Sequence, residues 1–362
     1  MQHGVLNQIP ADWVALADYE QAAQQVLATD RWAYLQGGCV RPWHAVEASA
    51  FSSYQLLPRP LRDLRGGHIQ VELFGQTLPH PFLLAPVAYQ KLFHPAGEQA
   101  TALAAQVSQT PLLLSSLASV SLQQIRHAST AILWFQLYWQ GNRERSLALL
   151  RRAEHAGHQA IVVTIDAPHM GIRDRERRAG FQLPPEVQAV NLTPYCMPEL
   201  GSDQHALFDG LMAQAPTWSD IAWLVQQTHL PVLLKGILHP DDARQAIDLG
   251  IQGLIVSTHG GRVLDGVVDG LQMLPKIRAA VNTELPVLFD GGIRCGADAF
   301  KALALGATAL LIGRPYIYGL ATAGALGVAH VIKLLREELE VTMALCGTAT
   351  VAEINLDYLV QK

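Results

Sequence analysis

Eight short apolar runs, each bounded by Gly or Pro and separated by segments of helical spacing, occupy residues 81–313. They read PFLLAPV (81–87), PLLLS (111–115), ILWFQLY (132–138), AIVVTID (160–166), PVLLKG (231–236), GLIVS (253–257), PVLFD (286–290) and TALLIG (308–313). A strand covered on one face alternates apolar and polar residues, whereas one covered on both faces is apolar throughout, as these are. Parallel strands joined by helices are covered in that way. The pattern therefore predicts an α/β fold built as a (β/α)8 TIM barrel. The segments 97–109, 143–156, 241–249 and 297–305 carry helical spacing, and Gly157, Gly250 and Gly306 stand where a left-handed C-cap favours glycine.

One connection breaks the rhythm. Roughly 50 residues without clear periodicity separate Asp166 from the next helix near Ser219, too long for a simple turn and suited to a lid or substrate loop. Residues 1–80 read as an N-terminal helical extension covering the barrel, led by an amphipathic stretch at 12–29. Residues 81–362 read as the barrel with C-terminal helices beyond Gly324. Half the chain is apolar and 16% is charged, enough to bury a large core and to exclude disorder for most of its length. The net charge of −5 and the lack of a Lys/Arg run argue against nucleic acid. No apolar run approaches the ~18 residues of a membrane span. Cys39, Cys196, Cys295 and Cys346 lack metal-type spacing, which predicts free thiols, no metal site and a cytoplasmic location.

Reactive groups of a barrel belong at the C-terminal ends of its strands. Here those ends are polar: Gln136 and Tyr138, Thr164 and Asp166, Lys235, Ser257 to Arg262, Asp290 to Arg294, and Gly313 with Arg314. The glycines let backbone N–H groups approach a ligand, and the loops after strands seven and eight commonly bind phosphate, so a phosphorylated cofactor is the expected tenant. His259 at a strand end, with Arg262 three residues on, is a candidate for catalysis. Lys235 sits in the apolar context PVLLKGI, and a buried Lys needs an anionic or electron-rich partner. The charge run RDRERR (173–178) reads as a solvated loop except where one Arg points inward.

STHGGRVLD, LFDGGIRCGADAFKALALGA, LLIGRP, WFQLY, TIDAP and LLAPVAYQKLFHPAGE, in this order over residues 34–353, resemble the FMN-dependent α-hydroxy-acid oxidases and dehydrogenases, of glycolate oxidase and lactate oxidase type. The resemblance implies His259 as the base and Asp166 as the carboxylate that orients it. It implies that Arg262 and Tyr34 clamp the substrate carboxylate, Tyr34 being placed by its separation of nine residues from Trp43. Tyr138 would bond the substrate oxygen, with Arg173 at the pocket mouth. For FMN the resemblance implies Pro86, Val87 and Ala88 on one ring face, and Ser115, Gln136 and Thr164 on the polar edge. Lys235, with Ser257 at the neighbouring strand end, would lie beside the ring, Asp290 beside the ribityl chain, and Gly292, Arg294, Gly313 and Arg314 at the phosphate. A homotetramer or other homo-oligomer is implied in the same way.

The expected reaction is oxidation of an L-2-hydroxy acid to the 2-oxo acid, with O2 giving H2O2. A dehydrogenase serving a quinone, cytochrome or other carrier is the alternative. An FMN barrel isomerase or a non-catalytic flavin-binding protein is an alternative of another class. Ala88, where quinone-linked members tend to carry Gly, and a long loop without a strong apolar run favour O2. Leu117 stands where glycolate oxidase has Trp, which opens the pocket to longer substrates than glycolate. Thr258 and Val263 replace the usual Asn and Gln around the His-Arg motif.

Overall fold

The computed structural model describes residues 6–38, 50–194, 201 and 203–362. Trp43, Cys39, Cys196 and part of the long loop lie outside them. Each of the eight apolar runs contains a strand: β4 (Phe82–Leu84), β5 (Leu112–Ser115), β6 (Leu133–Leu137), β7 (Ile161–Thr164), β8 (Val232–Ile237), β9 (Gly253–Val256), β10 (Val287–Asp290) and β11 (Ala309–Ile312). They pair in parallel, in chain order, and β11 returns to β4 to close the barrel. Prolines open several runs at no cost to the ladder, because only their carbonyls are used there: Pro81, Pro111, Pro231 and Pro286 each accept from the adjoining strand at 2.8–3.0 Å. The helices follow on the outside. Gly157, Gly250 and Gly306 all have positive φ just past helix ends.

Side chains two apart on a strand face the same way. One set, including Leu114, Phe135, Val163, Leu234, Val256 and Phe289, packs outward against the helices. The other, Leu83, Leu113, Trp134, Val162, Leu233, Ile255, Leu288 and Leu311, fills the lower barrel. Continuing that inward face by two residues reaches Ser115, Gln136, Thr164, Lys235, Ser257 and Asp290. The inside of the barrel thus changes from apolar to polar within one layer.

The N-terminal extension departs from the helical expectation. It contains α1 (Leu16–Val26) and α2 (Thr29–Gln36), but also β1 (Tyr54–Leu56) and a hairpin of β2 (Val71–Leu73) and β3 (Gln76–Leu78). Strands of three residues are too short for alternation to register in sequence. The hairpin turns through Phe74 and Gly75, both at positive φ, as a two-residue loop of type I′ requires. It packs with the lower barrel cluster, where Phe74 lies 5.5 Å from Trp134 between ring centres. β1 pairs antiparallel with β12 (Leu359–Gln361), joining the extension to the C-terminus.

A further departure concerns the helix Arg314–Cys346. It is long and apolar enough by composition to cross a membrane, although its sequence contains no uninterrupted apolar run of that length. Most of its apolar window is buried within the fold, and non-helical dihedrals at Ala323 and Gly324 break it in two. It is a core helix, packed against α1 and against the helices Glu98–Ser108 and Gly296–Ala304.

Candidate active site

The polar layer opens into a cavity of about 730 Å³ at the C-terminal end of the barrel, within the size range of small-molecule sites. Tyr34, Pro86, Val87, Ala88, Ser115, Leu117, Tyr138, Thr164, Arg173, Lys235, His259, Arg262, Asp290, Gly292, Arg294, Gly313 and Arg314 all line it. Gln136, Asp166 and Ser257 do not reach the wall but stand directly behind it. Gln136 accepts from Ser115 Oγ at 3.1 Å and donates to Thr164 Oγ1 at 3.0 Å. Ser257 Oγ accepts from Lys235 Nζ at 2.7 Å and from the His259 backbone N–H at 3.0 Å.

His259 follows β9 in a tight turn, with φ +56, a left-handed conformation costly for a non-glycine residue and concentrated at functional sites. Its Nδ1 lies 2.9 Å from Asp166 Oδ1. Burial pushes the Asp166 carboxyl up, but His259 and Lys235 together outweigh it and hold the group below the usual carboxylate range. An ionised Asp166 accepts, so Nδ1 donates. In the neutral ring the lone pair is then on Nε2, which faces Tyr138 OH at 3.3 Å and the cavity. Gly236 makes the pair possible: at φ +107 a Cβ there would come within 2.5 Å of the Asp166 side chain.

Lys235 is 4% exposed, and its ammonium sits 2.8 Å from Asp290 Oδ2. Burial alone would depress its pKa, but Asp290 and Asp166 reverse that and raise it, so the cation is fixed at the cavity floor. Asp290 Oδ1 is buried without a hydrogen-bond partner among the described residues, an acceptor aimed at the same space.

Arg262 is held by the C-terminus of α2: its Nη1 donates to the carbonyls of Tyr34 at 2.5 Å and Leu35 at 2.9 Å. The guanidinium lies 5.0 Å over the Tyr34 ring, which in turn stacks on Phe181. Burial pulls the Arg262 pKa down to about 10, leaving it charged at neutral pH. Gly37 leaves room for it, since a Cβ there would meet Nη1 at 2.4 Å. Arg314 donates to the carbonyls of Leu35, Gln36 and Gly260, so its guanidinium ties α2 to the His259 turn. Among the described residues the Arg294 guanidinium donates only to the adjacent Ile293 carbonyl, which leaves most of its fork for a ligand in the cavity it lines.

The charge run 173–178 is the main correction to the sequence reading. Residues Asp174–Arg178 form a short helix, and Glu176 on it turns inward, 8% exposed, to pair with Arg173 at 3.4 Å and Arg262 at 3.5 Å. Trp139, Met170, Phe181 and Leu183 also line the cavity and escaped the sequence reading, as none of them sits at a strand end by motif. Trp139, immediately after Tyr138, was the one within reach of that logic.

A family profile described as FMN-dependent dehydrogenase matches residues 23–361. The chain is 49% identical to an L-lactate oxidase of Alicycliphilus denitrificans, covering 97% of both proteins. It is 44% identical to a 4-hydroxymandelate oxidase of Amycolatopsis orientalis, over 94% of this chain and 96% of that one. A solved structure of mandelate oxidase with (S)-2-phenylpropionate superposes at a TM-score of 0.87 and 43% identity, over 97% of this chain and 98% of the other. The closed eight-stranded barrel, the polar cavity at its C-terminal end and a match along almost the whole length agree: this chain belongs to the FMN-dependent dehydrogenase family.

Proposed function

We propose that this protein is an oxidase that converts an L-2-hydroxy acid to the 2-oxo acid, with O2 reduced to H2O2. The observation that carries the reading is the Asp166–His259 pair, which presents Nε2 to a cavity that also holds Arg262. That is a base beside a carboxylate clamp, as removal of two electrons and two protons from a hydroxy acid requires.

The cavity fits FMN in its chemistry. A buried Lys, a buried unpaired carboxylate oxygen, Arg294 and Arg314 among the lining arginines, and the bare backbone at Gly292 and Gly313 supply donors for a ring, acceptors for a polyol and charge for one phosphate. Pro86, Val87 and Ala88 would lie along the ring, Ser115 and Thr164 at its polar edge with Gln136 behind them, and Asp290 beside the ribityl chain. Phosphate would fall to Gly292, Arg294, Gly313 and the Arg314 end of its helix. Bound FMN supplies the two-electron acceptor.

The chain's own groups perform the rest. Arg262 and Tyr34 fix the substrate carboxylate, with Arg173 adding charge at the mouth. His259 Nε2 takes a proton from the substrate, and Asp166 stabilises the imidazolium that results. Tyr138 donates to the substrate oxygen. Lys235 places a positive charge where negative charge develops on accepting electrons. Leu117 and Trp139 border the space for the substrate side chain. O2 is the acceptor, in keeping with Ala88 on the cavity wall. Cys295 and Cys346 are free thiols, in keeping with a reducing cytoplasm, and the family resemblance supports a homotetramer or other homo-oligomer. Anaerobic addition of an L-2-hydroxy acid should bleach the flavin, and admitting air should restore its colour at the turnover rate. Absence of bleaching defeats the oxidase reading, and slow recovery in air with fast recovery by a quinone turns it into a carrier-linked dehydrogenase.

A further inference from the structure

Glu176 is a buried acid among the cations of the substrate cavity, and its place there is unexplained by the base, the clamp or the cofactor site. Its two carboxylate oxygens are divided between two partners: Oε2 towards Arg173 Nη1 at 3.4 Å and Oε1 towards Arg262 Nη2 at 3.5 Å. Both separations are longer than the 2.7–2.9 Å of a full charge-assisted bond. Glu176 therefore neutralises both arginines in part and commits to neither. Arg173 Nε is buried with no hydrogen-bond partner among the described residues, and the Arg262 fork spends Nη1 on carbonyls, so the two guanidiniums still have donors to offer an anion. Two arginines and one carboxylate leave a local charge of one positive unit. A monoanionic substrate cancels it. A dianionic one would bring a surplus negative charge against Glu176.

We infer that Glu176, acting through Arg173 and Arg262, is a positioning residue that sets the charge class of the substrate, favouring monocarboxylic 2-hydroxy acids and rejecting dicarboxylic ones. The inference rests on the reading of Arg262 as the substrate clamp. Its chemistry is electrostatic. In a partly buried site a unit charge a few ångströms away changes affinity by an order of magnitude or more, and removing Glu176 would raise the local charge to two positive units.

The test compares holoenzymes by kcat/KM for lactate and for malate, a mono- and a dicarboxylic 2-hydroxy acid. Glu176→Gln and the similarly sized, neutral Glu176→Met should each raise the malate-to-lactate ratio by roughly tenfold or more, chiefly through KM for malate. Glu176→Asp, which keeps the charge, should retain the parent preference even where its overall rate falls. Flavin absorbance shifts on titration with oxaloacetate and pyruvate give a second readout independent of turnover, and the neutral variants should tighten oxaloacetate more than pyruvate. If neutral and charged variants shift the ratio alike, or if neither ratio nor product binding moves, the inference is overturned while the oxidase reading stands. Failure of every 2-hydroxy acid to bleach the parent enzyme overturns both.

Discussion

The two ends of the barrel use the same strands and even the same residue type for opposite purposes. At the N-terminal end, His80 and His158 are buried ahead of β4 and β7, and burial pulls both rings down to about 4. Each is a fixed neutral hydrogen-bonding group: His80 meets the Ser108 carbonyl at 3.1 Å, and His158 Nδ1 meets the Ala153 carbonyl at 3.0 Å. At the C-terminal end, His259 has a carboxylate at Nδ1 and open cavity at Nε2. An imidazole becomes reactive through its partners and its access to a ligand. Burial alone makes it inert.

The sharpest way to break this contrast is to exchange roles by mutation. His259→Gln should keep FMN bound and slow flavin reduction by about 10²–10⁴-fold, measured by stopped-flow under anaerobic conditions. His158→Gln should leave the reduction rate at neutral pH unchanged. Parent-like reduction in His259→Gln would remove it as the base.

The N-terminal pair should instead govern acid stability. Folding holds both rings neutral, whereas the unfolded chain takes up protons near pH 6.5, so the unfolded state binds more protons between the two values. Their contribution to stability should be lost as pH drops from about 6.5 to about 4, by at most ~3 kcal/mol per ring. Urea midpoints over this range test it, and His158→Gln should flatten the slope. An unchanged slope would clear His158 of that role.

At the C-terminal end, Arg262→Lys preserves charge but loses the planar fork that reaches the carbonyls of α2 and the cavity together. Loss of one charge-assisted contact, about 1.5–3 kcal/mol, should lower kcat/KM by roughly 10–100-fold. A variant with parent kinetics would take Arg262 out of the clamp. The smallest effect concerns the cavity wall. Each substrate methylene buried beside Leu117 is worth about 0.8 kcal/mol, so activity should rise from glycolate to longer 2-hydroxy acids, and Leu117→Trp should reverse that order. An unaltered ranking would show that the side chain points elsewhere.

Much of the C-terminal end was legible because the barrel turns local order into position. Once eight doubly buried strands are recognised, the residue at each strand's end is at the top of the barrel, and its parity decides whether it points inward. That logic leads from Val162 to Thr164 and from Leu233 to Lys235. It fails for Glu176 and Phe181, which sit in the aperiodic loop after β7, where no strand end or repeat assigns a direction to a side chain.

By itself, the sequence determined the number of barrel strands, their burial on both faces and the polar composition of the layer above the core, because these depend on residues near one another in the chain. Tertiary structure decided which distant groups meet: Asp166 with His259 across 93 positions, Arg262 with α2 across more than 220, and β1 with β12 from opposite ends of the chain. It also decided that a helix apolar enough for a membrane would spend that surface inside the fold. Such pairings follow from closure of the barrel and the paths of its loops, and local periodicity carries no record of either.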